Sequence, residues 1–294
     1  MRTLALSFTL LAASAASAAP LTPMHVLVTN DDGVGAPGID ALVQALSANP
    51  NVEVTVIAPA TNQSGTGDAF STTPINVTPS STAGAFPATA VGGKPADTVL
   101  FGVLQALAQP PDLVVSGVNF GQNATAEVVN LSGTVGAALT AARLGIPAIA
   151  VSHGFFTMSS QFAEAANYVA GLVERFRQSR GFRAKLSTRS GVRSALVLNV
   201  NFPSCTSGST RGVVLVPLGH LNTVTDYNLT GTMGSTQTFT PVVTSVSPFT
   251  ANCASAVLNP PTDGDALANG FATITPLNPD LTVSKLRSFR FLLH

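Results

Sequence analysis

Two adjacent carboxylates, Asp31 and Asp32, follow the short apolar run His25-Val-Leu-Val-Thr29 and precede Gly33. Taken alone, Asp-Asp-Gly is an ordinary turn, because Asp and Gly dominate turns. Two further apolar runs end in the same manner. Val52 to Ala58 leads into Asn62-Gln63-Ser64-Gly65, and Leu113-Val-Val-Ser116 leads into Gly117-Val118-Asn119-Phe120-Gly121-Gln122-Asn123. If the three runs are parallel strands of one open sheet, their carboxyl ends share the crevice where α/β proteins bind ligands. Asp31, Asp32, Ser64 and Asn119 could then converge on one point. All four offer oxygen, which suits Mg²⁺ or Mn²⁺, with Ca²⁺ behind them, better than Zn²⁺. A cation held there would polarise a phosphoryl group and activate water, with Asp31 and Asp32 as the catalytic carboxylates.

A second cluster suits the anion such a reaction needs. Leu131-Ser132-Gly133-Thr134 directly precedes a helical pattern. A helix N-terminus offers free N–H groups and the positive end of a dipole. Ser132, Gly133 and Thr134 are therefore candidate phosphate ligands, with Asn123 as a further donor. The blander alternative is that Ser132 and Thr134 only cap the helix and Asn123 only closes a turn. Gly33-Val-Gly-Ala-Pro-Gly38 matches the dinucleotide fingerprint G-x-G-x-x-G between a strand and a helix. Two Asp residues just before it would repel a pyrophosphate, and the second strand ends at Ala58-Pro59 with no acidic residue for a ribose hydroxyl. The glycines better serve a tight turn that lets the carboxylates share an ion. His25, His153, His220 and His294 form no ligand spacing, and no Gly-x-Ser-x-Gly elbow occurs, which argues against a Ser–His–Asp hydrolase.

The elements that must position these groups alternate. Helical patterns span Pro37–Leu46 (Ile39, Leu42, Val43 and Leu46 on one face), Ala96–Leu107 (Val99, Leu100, Val103, Leu104 and Leu107 inward), Gly133–Leu144 and Phe162–Arg177. Strand patterns add Ala148–Ser152 and Ala195–Val200. Short apolar strands separated by helices predict a Rossmann-like three-layer α/β/α fold with a mostly parallel sheet. From Asn222 to Val257 the chain turns Thr-, Ser- and Gly-rich, which predicts extended hairpins or an arm. A strand follows at Gly270–Pro276, and a terminal helix is expected near Val283–Phe289. The expected organisation is a signal peptide over 1–19, a catalytic domain over 24–217, and a β-rich extension with the C-terminal segment over 218–294.

Bulk composition narrows the class. The 294 residues are 45% hydrophobic but only 10% charged, against about 25% in an average soluble domain, so Ser, Thr, Asn, Gln and Gly must solvate the surface. A formal net charge of zero argues against a nucleic-acid binder, which needs a basic face. Arg2, the apolar stretch Leu4–Ala13 and the small-x-small pattern Ala16-Ser17-Ala18-Ala19 read as a secretory signal too short to span a bilayer, so the mature chain is expected to be exported, periplasmic or secreted, without a membrane anchor. In an oxidising compartment Cys205 and Cys253, the only cysteines, could form a disulfide. Sequons at Asn62, Asn123 and Asn130 fall on the proposed site, where a glycan would obstruct substrate; they fit coincidence in a bacterial exported protein.

Several blocks together resemble the SurE family of survival-protein nucleotidases. They are Thr29–Gly38, Ala58-Pro59 with Gln63–Gly65, Ser116–Asn123, Ser132–Ala138, and Thr262-Asp263 with Gly270–Leu277, in that order and spread over almost the whole mature chain. The resemblance implies a Rossmann-like domain whose β-rich C-terminal extension makes oligomer contacts, as a homodimer or homotetramer. It implies a divalent metal at Asp31, Asp32, Ser64 and Asn119, with phosphate near Asn123 and Ser132-Gly133-Thr134. The implied activity is phosphate removal from nucleoside 5′- or 3′-monophosphates, with polyphosphate and simple phosphate esters as further substrates. The chain departs from the family where Thr140 replaces an acidic residue, and where the segment 58–67 lacks an Arg. An exported nucleotide- or phosphate-binding protein without turnover is the alternative reading.

Overall fold

Apolar runs that are buried from end to end leave a chain one arrangement, a sheet covered on both faces. The computed structural model describes residues 23–155, 162–179, 195–205, 208–221, 226–242 and 250–279. The expected signal peptide and the expected helix near Val283–Phe289 lie outside the described residues. The strands are β1 Met24–Thr29, β2 Val52–Pro59, β3 Val77–Ser81, β4 Pro87–Val91, β5 Leu113–Phe120, β6 Ala148–His153, β7 Val197–Phe202, β8 Val213–Leu215, β9 Asp226–Met233, β10 Thr236–Val242 and β11 Ala272–Leu277. Among the described residues, nine of them form one sheet in the order β3-β4-β2-β1-β5-β6-β7-β11-β8. Strands β4, β2, β1, β5, β6 and β7 run parallel, while β3 at one edge is antiparallel to β4, and β11 is antiparallel to β7 and parallel to β8.

The helices are α1 Pro37–Ser47, α2 Pro95–Phe101, α3 Ala126–Leu131, α4 Gly133–Arg143, α5 Phe162–Gln178 and α6 Asp263–Ala268. On one face α1 and α5 bury Ile39, Leu42, Val43, Leu46, Phe162, Val169, Val173 and Phe176 against Val26, Val28, Val115 and Val200. On the other, Val99 of α2 and Val135, Ala138, Ala141 and Ala142 of α4 cover Leu27, Ile57, Val114, Ala150 and Val197. This is the expected three-layer fold. Strand order reverses at β1: β2 lies on one side of it and β5 on the other. The switch point between β1 and β5 opens the ligand crevice of a doubly wound sheet beyond their carboxyl ends.

Local differences have local causes. The helix expected over Ala96–Leu107 is α-helical only to Phe101 and continues as a π-turn over Gly102–Ala106, closed by Leu107 N–H donating to the Gly102 carbonyl at 3.0 Å. The wider turn rotates the following residues, so Leu104, expected inward, is exposed. The β3–β4 hairpin was not expected; Val-Thr-Pro-Ser-Ser is exposed throughout and carries no alternating apolar signal. The expected domain boundary at 217 falls within the sheet, because β8 before it pairs with β11 after it. The Thr-rich arm is a separate exposed hairpin of β9 and β10. Cys205 and Cys253 are joined by a disulfide with Cα atoms 5.6 Å apart.

Candidate active site

The turn after β1 decides where the carboxylates point. Gly33 adopts φ +106°, open to glycine at little cost, and an added Cβ would lie 3.2 Å from the Thr61 carbonyl carbon. The Asn30 side chain closes this turn, donating to the Gly33 carbonyl at 2.8 Å and accepting the Gly33 N–H at 3.2 Å. Gly38 at the start of α1 lets the helix approach the sheet, since an added Cβ would lie 1.9 Å from the Val118 carbonyl oxygen of β5. Gly35, the middle glycine of the fingerprint, has nothing within 4 Å. The G-x-G-x-x-G match is thus explained at two positions by the fold itself.

Asp31 is buried against the N-terminus of α4. Its Oδ1 accepts the Thr134 hydroxyl at 2.6 Å, and an added Cβ on Gly133 would stand 2.8 Å from the Asp31 Cβ. Asp32 is half-buried. Its Oδ2 accepts the Phe120 N–H from β5 at 3.0 Å, and the Asn62 amide lies 3.4 Å from its Oδ1. The turn after β2 leans on the same pair: Gln63 N–H donates to the Asp31 carbonyl at 2.7 Å, and Ser64 N–H to the Asn62 Oδ1 at 3.0 Å. Asn119 is buried at the end of β5, where the pairing with β6 shifts register after Ser116, and its amide donates to the Gly121 carbonyl at 2.7 Å. Hydrogen bonds therefore tie the Asp pair directly to the 62–64 turn, to the end of β5 and to α4.

Electrostatics make the pair costly as it stands. Burial pushes the Asp31 carboxyl above its usual range, against the pull of the Thr134 hydroxyl and nearby backbone N–H groups. Burial also pushes Asp32 up to about 6; the Phe120 N–H opposes this, and the charge of Asp31 adds to it. The ion pairs among the described residues, Arg143–Asp68, Arg177–Glu174 and His220–Glu127, leave both carboxylates without a cationic side chain. Two adjacent buried carboxylates with neutral oxygens around them fit a hard divalent cation, which would supply the missing positive charge. No group of three or more His, Cys, Asp and Glu comes together among the described residues, so neutral Ser and Asn oxygens would have to complete the coordination.

The phosphate candidates occupy the neighbouring rim. Ser132 caps α4, its hydroxyl accepting the Val135 N–H at 3.1 Å, which leaves the hydroxyl hydrogen to donate. Thr134 donates its only hydroxyl hydrogen to Asp31, so it orients a carboxylate rather than offering a donor to phosphate. Asn123 is clamped on all sides. Its N–H donates to Asn201 Oδ1 at 2.6 Å, its carbonyl accepts from Asn199 at 2.7 Å, and its side-chain amide donates to Ser152 Oγ at 2.9 Å.

Sequence reading missed this support. Asn199 and Asn201 stand two apart in β7 and so share one face of a buried strand, which is a visible but weak signal. Asp263 is also support: fully buried, it accepts the N–H groups of Gly219 at 2.8 Å and Thr125 at 3.1 Å, tying α6 to the Asn123 loop. His153 is buried against Phe202, and burial lowers its pKa, which favours the neutral ring.

The sequence and the fold both have known counterparts. A sequence profile for survival protein SurE matches residues 26–225. The 5′-nucleotidase SurE of Syntrophobacter fumaroxidans is 35% identical over 260 residues, covering 88% of this chain and 95% of that protein. The 5′-nucleotidase SurE of Methanopyrus kandleri is 43% identical over 181 residues, covering 61% of this chain and 66% of that one. The crystal structure of the SurE protein from Aquifex aeolicus superposes with a TM-score of 0.70 at 29% identity, covering 92% of this chain and all of that one. With its fold, its ordered motifs and its relatives in agreement, the chain belongs to the SurE family.

Proposed function

We propose that this chain is a divalent-metal-dependent phosphomonoesterase that removes phosphate from nucleoside 5′- or 3′-monophosphates. The observation that carries the reading is the buried Asp31–Asp32 pair, without a cationic side chain, set against the N-terminus of α4. Relatives across the family carry the name 5′-nucleotidase. Asp31, Asp32, Ser64 and Asn119 would hold the cation, with Mg²⁺ or Mn²⁺ favoured by the all-oxygen set. Bound there, a divalent cation supplies Lewis-acid polarisation of the phosphoryl oxygen and acidifies water.

The chain's own residues do the rest. Thr134 and the first N–H groups of α4 hold Asp31 in one orientation. Asp32, fixed by the Phe120 N–H, is the less buried carboxylate and accepts the proton of the attacking water. The Gly133 N–H serves Asp31, so Ser132 and Asn123 are the groups that stabilise charge on the non-bridging oxygens. The test is phosphate release from nucleoside monophosphates by the mature chain, in EDTA and with Mn²⁺ or Mg²⁺ restored. Release only with metal, lost in a folded Asp32→Asn variant, supports the reading. Tight nucleotide binding without release under any metal refutes it in favour of a binding protein.

The same proposal places the mature protein outside the cytoplasm after cleavage near Ala18 or Ala19. The Cys205–Cys253 disulfide suits an oxidising compartment. N-terminal sequencing of protein from fractionated cells checks it. It also assigns the 218–294 segment to contacts between copies, as a homodimer or homotetramer. Tyr227, Leu229, Met233 and Phe239 are exposed on the β9–β10 hairpin, and light scattering of the protein with and without that hairpin tests the assignment.

A further inference from the structure

Phe120 is the single exposed position in a strand that is otherwise buried from Leu113 to Asn119. It is 45% exposed, at the carboxyl end of the sheet where the ligand crevice lies. Its own N–H donates to Asp32 Oδ2 at 3.0 Å, so the ring is rooted on the carboxylate pair. The preceding residue is Asn119, one of the oxygen ligands proposed for the cation. Two other rings brace it: Phe155 at 5.5 Å between centroids with planes at 89°, and Phe162 at 6.4 Å with planes at 67°. Such edge-to-face contacts fix the orientation of a ring. Leu131, just before Ser132, is also exposed, but an aliphatic chain cannot stack.

We propose that the Phe120 ring is the stacking platform for the base of the substrate, so that the site selects phosphate esters whose leaving alcohol carries a planar aromatic base. This rests on the phosphatase reading and deepens it. Ser64, Asn119 and Asn123, proposed above as partners of cation and phosphate, are neutral and polar, suited to phosphate and sugar oxygens. A nucleobase brings a flat apolar face, and Phe120 offers the matching exposed ring. Base–aromatic stacking is tolerant of base identity because every base has a π-face. The structure therefore points to a preference for nucleotides over base-free esters, graded by stacking area, with purines ahead of pyrimidines.

The test uses the mature, metal-loaded chain and compares adenosine 5′-monophosphate with ribose 5-phosphate, which lacks the base. Phe120→Leu keeps an apolar side chain and the backbone N–H to Asp32 but removes the ring; Phe120→Tyr keeps the ring. The ratio of kcat/KM for the nucleotide over that for the sugar phosphate is expected to fall about tenfold in Phe120→Leu, the equivalent of about 1.4 kcal/mol, mostly through KM. Phe120→Tyr is expected to retain it. A ratio unchanged in Phe120→Leu, with both esters hydrolysed, overturns the stacking role and leaves the phosphatase reading standing. Calorimetric binding of the two compounds separates the opposite case. Nucleotide preference that depends on the Phe120 ring, with neither compound hydrolysed, upholds the platform and refutes the phosphatase reading. Equal binding of both compounds by the parent chain and by its Phe120→Leu variant overturns the platform whatever the turnover.

Discussion

Replacing Asp32 with Asn should stabilise the metal-free fold. Asn matches Asp in shape, and its side-chain oxygen can still accept the Phe120 N–H now 3.0 Å from Oδ2. What disappears is the cost of ionising a carboxyl raised by burial from 3.8 to about 6. At about 1.4 kcal/mol per pH unit, that gap amounts to about 3 kcal/mol at most. The sign follows from proton counting. Below the unfolded value both states are protonated and the penalty is absent. As pH rises through 4 to 6, the unfolded chain ionises first, so the folded state holds the extra proton and loses stability. Above about 6 the full penalty remains. The advantage of Asp32→Asn over the parent in EDTA should therefore grow from roughly 0.5 kcal/mol at pH 4 to about 3 kcal/mol at pH 7.5. Urea titrations at the two pH values measure it, and the difference between the two proteins cancels most other titrating groups. Added Mn²⁺ at a hundred times its dissociation constant should then stabilise the parent by about 2.7 kcal/mol and the variant by far less. An Asp32→Asn protein less stable than the parent at pH 7.5 without metal, or a difference flat with pH, refutes the account of a pair strained by its own charge.

Other perturbations probe the frame around that pair. Thr134→Val removes the 2.6 Å hydrogen bond to Asp31 at constant shape, and Mn²⁺ affinity, read from metal-titrated activity, should fall about 10- to 100-fold while the melting curve stays cooperative. Gly38→Ala drives a Cβ to within 1.9 Å of the Val118 carbonyl, so α1 must back away from β5; a loss of about 2 kcal/mol or more in urea titration is expected. Cys205→Ser with Cys253→Ser opens a loop closed across 48 residues, which chain entropy puts at about 4 kcal/mol; a dithiothreitol-insensitive urea midpoint in the parent would contradict this.

How far the fold could be read from sequence depended on burial. The strands at Met24–Thr29 and Ala148–His153 announce themselves because buried sheet positions demand apolar runs, and those at Val52–Pro59 and Ala272–Leu277 because their β-branched and apolar residues cluster between turn signals. The faces of α1 and α5 announce themselves for the same reason, at helical spacing. Exposed elements left no such trace: β3 is held by pairing with β4 alone, and main-chain hydrogen bonds carry no side-chain signature. The π-turn after Phe101 was equally hidden, because a change of one residue per turn is a tertiary adjustment that leaves the apolar pattern ambiguous.

The residue types at the strand ends were determined by the sequence alone: two carboxylates, a serine, two asparagines and a Ser-Gly-Thr helix start, all of them oxygen and N–H chemistry. What those groups do to one another was decided by the tertiary structure. It turned Thr134 from a free hydroxyl into the partner of Asp31, made the backbone of Phe120 the anchor of Asp32, and brought Asn199, Asn201 and Asp263 from distant segments to hold the Asn123 loop. The physical reason is range. Composition and periodicity report what each segment buries, whereas hydrogen bonds between residues up to 138 positions apart exist only after the sheet has placed its carboxyl ends side by side.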